Sequence, residues 1–195
     1  MKPWTKLITL CAVALLGACA SLPGGGGREA PPREAVVLPE DYRQALDLMA
    51  RGEHRAAEAA LKAYAARNPG QSSPLVNLAL LYRQTERHDQ AREALQQALT
   101  INPQQPAAHN LVGIYAREAG EFAAAREAYQ AALKADAAYP NAHLNLAILM
   151  DLYLHQPAAA LRHYKRYEEL IGEEALDQEV KSWIADTERQ AQGGR

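Results

Sequence analysis

From residue 40 onward the apolar positions of the chain return every 34 residues. Ala57, Ala91 and Ala125 stand one period apart, as do Leu61, Leu95 and Tyr129, and His54, His88 and Phe122. Gly52 and Gly120 are two periods apart, Pro69 and Pro103 one. A fixed period of this length predicts a stacked array, in which each unit buries its apolar face against its neighbours. Within a period the spacing is helical. Leu75, Leu78, Ala79 and Tyr82 share one helix face, and Ala91, Leu95, Ala98 and Leu99 share another, closed by Asn102-Pro103. The small residues at matched sites let paired helices approach closely. The pattern predicts an all-α chain of helix pairs, with units at about 40–69, 72–103, 106–137 and 140–171. An amphipathic helix over 174–191, carrying Leu176, Val180, Trp183 and Ile184, follows as a cap on the last unit.

These positions resemble the tetratricopeptide repeat. The third unit carries the pattern best, in Gly113, Gly120, Phe122, Ala125, Tyr129, Ala132 and Leu133. The second supplies Leu78, Ala79, Tyr82, Ala91, Leu95, Ala98 and Pro103, and the first Ala45, Leu48, Gly52, Ala57, Leu61 and Pro69. A fourth unit reads Leu146, Ala147, Ala160, Tyr164 and Tyr167. Three departures stand out. Glu86 takes the place of the usual turn glycine, Pro140 comes three residues late, and one extra residue lies around Leu154–Gln156, ahead of Pro157. The resemblance implies a right-handed superhelical stack of about four units that binds proteins and catalyses nothing.

The first residues fix an expected compartment. Lys2 and Lys6 precede the largely apolar run Leu7 to Leu16, which has the length of a signal-peptide core and is too short to span a bilayer. Leu16-Gly17-Ala18-Cys19 then resembles the bacterial lipobox. That resemblance implies removal of residues 1–18 and a covalent lipid on Cys19. Several acyl chains, at ~0.8 kcal/mol per buried CH₂, would anchor the chain stably. Ala20 and Ser21 follow the cysteine, and neither is the aspartate associated with inner-membrane retention. The expected location is therefore the outer membrane, facing the periplasm. Residues 19–39, with Gly24 to Gly27, Pro31-Pro32 and Pro39, read as a tether reaching roughly 25 Å.

Composition narrows the chemistry. A net charge of −2 offers no basic stripe for nucleic acid. With Cys11 removed and Cys19 lipidated, no thiol remains for a disulfide, a nucleophile or a metal. His54 and His88 share one repeat position, as do His109 and His143. Equivalent sites in neighbouring units should lie about 10 Å apart, too far to share one zinc. His155 and His163 flank the irregular turn without a Cys or His-x-x-Glu partner. Glu168-Glu169 and Glu173-Glu174 read as solvated pairs, the second also suited to the N-terminus of the capping helix. No cofactor, metal or small-molecule substrate is expected.

The groove lined by the first helices remains. By the resemblance, the positions that face a ligand are Tyr42, Val76, Asn110 and Leu144, then Leu46, Leu80, Ile114 and Ile148, with Arg83 and Arg117 at the rim. The apolar stripe with its arginine rim suits an amphipathic helix or extended segment of a protein in the cell envelope. Lipoproteins of this layout serve in pilus biogenesis and as pilotins for secretion channels. The rival reading is a non-catalytic accessory subunit of an envelope enzyme or machine. Metabolic labelling with a palmitate analogue tests the anchor. The wild-type chain should take up label and Cys19→Ser should not; an unlabelled wild type, cleaved elsewhere, contradicts the lipobox.

Overall fold

The computed structural model describes residues 37–193, so the leader, Cys19 and most of the tether lie outside the described residues. The described residues form helices and no strand. The first pair is α1 (Glu40–Ala50) with α2 (His54–Arg67), and the second is α3 (Ser73–Gln84) with α4 (His88–Ile101). The third is α5 (Pro106–Glu118) with α6 (Phe122–Ala135). In the fourth, α7 (Pro140–Ile148) runs on into a π-turn, Leu149–Tyr153, before α8 (Pro157–Ile171). Then come a 3₁₀ turn, Glu173–Ala175, and α9 (Gln178–Gly193). Each helix packs on the next, and the pairs stack into a superhelix.

Local sequence sets the helix ends. Proline sits at the start of α3, α5, α7 and α8, where its missing N–H costs nothing and its fixed φ suits the helix. The turn inside every pair uses one left-handed residue: Gly52 (φ 72), Glu86 (φ 58), Gly120 (φ 78) and His155 (φ 52). In the first three, the amide just past the turn closes back onto a carbonyl of the preceding helix, as in Glu53 N–H to Leu48 O at 3.0 Å and Arg87 N–H to Tyr82 O at 2.8 Å. Glu86 thus occupies a conformation that suits glycine. The extra residue of the fourth unit is absorbed in its π-turn, where Leu154 N–H reaches back five residues to Leu149 O at 3.1 Å.

The capping helix begins later than the sequence pattern suggests. Asp177 Oδ1 accepts the Val180 amide at 2.8 Å, an N-cap that starts α9 at Gln178 instead of residue 174. Glu173 and Glu174 therefore lie in the separate 3₁₀ turn, and Glu179 is the acid in the first turn of α9. Leu176, Val180 and Ile184 still bury against the last pair.

Inside each pair a small buried residue of the first helix is matched by a large buried one of the second. Ala45, Ala79 and Ala147 are buried, as are Leu61, Leu95 and Tyr164. In the third pair the small residue is Gly113, where a methyl group would sit 2.5 Å from the Tyr129 ring. Gly113→Ala should cost about 1–3 kcal/mol by overpacking. Gly70→Ala, in open space, should leave the thermal midpoint in place. Equal midpoints for the two variants would refute this account of the contact.

Candidate functional site

Successive first helices are joined by a polar side-chain bond at every seam. Asn77 Nδ2 donates to Tyr42 Oη at 2.6 Å between α1 and α3. Arg83 pairs with Glu118 between α3 and α5. Asn145 Nδ2 donates to Asn110 Oδ1 at 2.9 Å between α5 and α7. At the end of the array, the Thr187 hydroxyl of α9 shares its one proton between the Trp183 carbonyl at 2.7 Å and Asp151 Oδ2 at 3.1 Å, so α9 takes the place of a fifth first helix. Partners lie 35 residues apart at the first three seams and 36 at the last, which carries the insertion.

This ladder decides which of the expected groove residues are accessible. Tyr42 is buried, stacked on Tyr64 with ring centroids 4.7 Å apart, and burial pushes its phenol up. Val76 and Ile148 are buried in the core, and Asn110 is buried at the third seam. Leu46, Leu80, Ile114 and Leu144 are half-buried, one in each pair, resting on the core with one side free. They form the row that a partner could meet. Arg83 is 19% exposed and its charge is engaged by Glu118, so it closes a seam where an open rim was expected. Arg117 is half-buried, its guanidinium carbon 6.0 Å from the centre of the Tyr153 ring. Leu152, in the π-turn, was not singled out from sequence, yet it is 41% exposed. It follows Ile148 by four residues, a helical spacing that could have found it.

Models of the tetratricopeptide repeat match residues 48–114 and 110–150, together just over half of the chain. The chain belongs to the tetratricopeptide-repeat family. Solved structures agree in fold. Pseudomonas aeruginosa pilF superposes with a TM-score of 0.65 at 21% identity, over 78% of this chain and 68% of that one. TTC0263, a thermophilic protein of Thermus thermophilus, gives 0.60 at 24% identity, over 75% and 79%. The first such domain of Spaghetti (RPAP3), bound to the HSP90 peptide SRMEEVD, gives 0.53 at 16% identity, over 61% and 91%. No curated protein matches. Tetratricopeptide repeats are protein-interaction scaffolds, and this array is one.

Several other polar groups of the repeats pair within the fold. Glu168 pairs with Lys165 and Glu169 with Arg166 along α8. His88 meets the Tyr115 ring edge-on at 6.0 Å. No group of three or more His, Cys, Asp or Glu residues able to hold a metal occurs among the described residues, and none of the described helices is long and apolar enough to cross a membrane. His163 meets His143 across the fourth pair. A crevice of about 740 Å³ opens between α4, α5 and the start of α6, lined by Leu95, Leu99, Val112 and Tyr115 among others and by none of the ten groove candidates.

The strongest electrostatic node lies at the first seam. Glu58 of α2 accepts from Arg87 at 2.8 Å, from Lys62 at 2.7 Å and from the Tyr82 hydroxyl at 3.1 Å. These donors, Arg87 first, hold its carboxyl at about 2, below its ordinary 4.5. A depressed carboxyl stabilises the fold above its ordinary value and loses that effect as pH falls toward its folded value. Glu58→Gln should therefore cost about 1–3 kcal/mol at neutral pH. Urea midpoints for wild type and variant should converge as the pH falls from about 4.5 toward about 2. A gap that stays constant over that range would contradict the assignment.

Proposed function

We propose that this protein is a lipid-anchored scaffold on the outer membrane, facing the periplasm, that holds a protein partner along the first helices of its repeats. The observation that carries the reading is the row Leu46, Leu80, Ile114 and Leu144, kept half-exposed while the polar groups beside it are engaged in the seams. Large apolar side chains on a scaffold surface are suited to a partner's apolar segment, whose binding energy concentrates in a few central contacts. The lipobox ending in Cys19 supports the anchor, and Ala20-Ser21 after it supports the outer membrane. Assembly of a pilus or a secretion channel is the process this layout fits best. Pseudomonas aeruginosa pilF, which shares the fold, is in keeping with that choice.

The test is a double substitution at the centre of the row, Leu80→Glu with Ile114→Glu. Charge on the free side of these residues should remove partner copurification from envelope extracts while the helical circular dichroism signal is kept. A folded double variant that still copurifies its partner at full strength would overturn the groove. An unfolded one would show that both residues belong to the core.

A further inference from the structure

We propose that His143 and His163 form a proton-sensitive clasp that holds the fourth repeat closed and loosens in acid. His143 stands on α7 and His163 on α8, and their Nδ1 atoms are 3.0 Å apart. The ring centroids are 5.3 Å apart with a tilt of 34°. That separation is close to the N···N distance plus two ring radii, so the two nitrogens face each other head-on. This is the geometry of an N–H···N hydrogen bond. It is not that of a chelate, where both lone pairs converge on a third point and further ligands complete the shell.

The tautomers follow from the outer partner. His143 Nε2 lies 3.1 Å from the Ala137 carbonyl, which can only accept, so Nε2 carries the proton. Neutral His143 therefore presents a lone pair at Nδ1, and His163 Nδ1–H donates to it. One chain of hydrogen bonds thus ties the α6–α7 turn, α7 and α8 together, with both rings neutral. An added proton can enter only at His163 Nε2 without breaking the bond. The charge then sits on a half-buried ring.

The surroundings oppose that charge. Burial is the largest effect, followed by His143 opposite and Arg162 on α8 itself; together they hold His163 down to about 4, from an ordinary 6.5. From the α6–α7 turn, Asp136 Oδ1 is engaged by the Ala138 amide at 2.9 Å. On the side of α8 toward α9, Lys165 is neutralised by Glu168 and Glu188. A histidine whose folded value is depressed stabilises the closed state above its ordinary value. That stabilisation drains away as the pH falls from 6.5 toward about 4.

The third repeat is an internal control. His109, one period before His143, donates from Nε2 to Pro103 O at 2.8 Å in the same way. The residue that corresponds to His163 there is Ala128, which precedes Tyr129 as His163 precedes Tyr164. The clasp is thus a specific addition to the fourth unit. It sits beside Leu144 and Asn145, which carry the end of the apolar row and the third seam. It does not depend on which partner the row binds.

Urea unfolding of the full chain at about pH 7.5 and about pH 5 tests the clasp, on wild type, His163→Ala and His109→Ala. The wild-type folding constant should fall between the two conditions by up to roughly 30-fold more than that of His163→Ala. His109→Ala should keep the wild-type response. Equal pH responses for wild type and His163→Ala would overturn the proposal. Should His163→Ala fail to fold, imidazole nitrogen resonances of the wild type decide the matter. Titration of His163 near 4, with His143 protonated at Nε2, supports the clasp; titration near 6.5 overturns it.

Discussion

The architecture rests on one steric constraint, met four times. Within each helix pair the first helix offers a residue too small to hold the second helix away, and the second fills the space with a leucine or tyrosine. Gly113 lies directly against Tyr129, and Ala45 with Leu61, Ala79 with Leu95 and Ala147 with Tyr164 are buried at the matching repeat positions. Protein interiors are packed too densely to accept an extra methyl group freely, so the small residue sets how closely the pair can close. Everything further out inherits that distance. With the pairs closed, the first helices come near enough for single side chains to bond from one to the next, which is the ladder from Tyr42 to Thr187.

The ladder divides two tasks that share the same helix face. At each seam a polar pair consumes the hydrogen-bonding capacity of residues that would otherwise meet a ligand. What is left free is the side of an aliphatic residue. A partner's apolar segment can rest on that row without competing against the bonds that hold the array together. The bonds alternate along the stack. Tyr42–Asn77 and Asn110–Asn145 lie early in their helices, whereas Arg83–Glu118 and Asp151–Thr187 lie late. The second seam adds an ion pair to the neutral bond that Gln105, just ahead of α5, donates to Ser72 Oγ at 3.1 Å, where its neighbours join their first helices through neutral groups.

Much of this fold could be read from sequence because the period is strict and the contacts it implies are local. The helix pairs and the unusual turn at Glu86 follow from spacing, whereas Pro140, placed by spacing at the end of the third unit, opens α7 instead. The start of α9 did not, since Asp177 as its cap is a single residue without periodicity. The groove was legible only as a set of positions. The family resemblance implies that Tyr42 and Asn110 lie on the inner face but says nothing about bonds to residues 35 positions away, and those bonds take both out of reach. The His143–His163 contact was hidden for a related reason. With the inserted residue allowed for, the pattern aligns His163 with Ala128, but nothing in the period brings that position to a residue of α7.

The central claim is that the first helices, and not the outer surface of the stack, receive the partner. Site-specific photo-crosslinking in living cells measures this directly. A photoreactive side chain at position 46 or 144 should trap one and the same protein, while Gln96 and Gln130, exposed on α4 and α6, should trap none when replaced in the same way. Adducts formed equally well from Gln96 and Gln130, or from those two alone, would contradict the account.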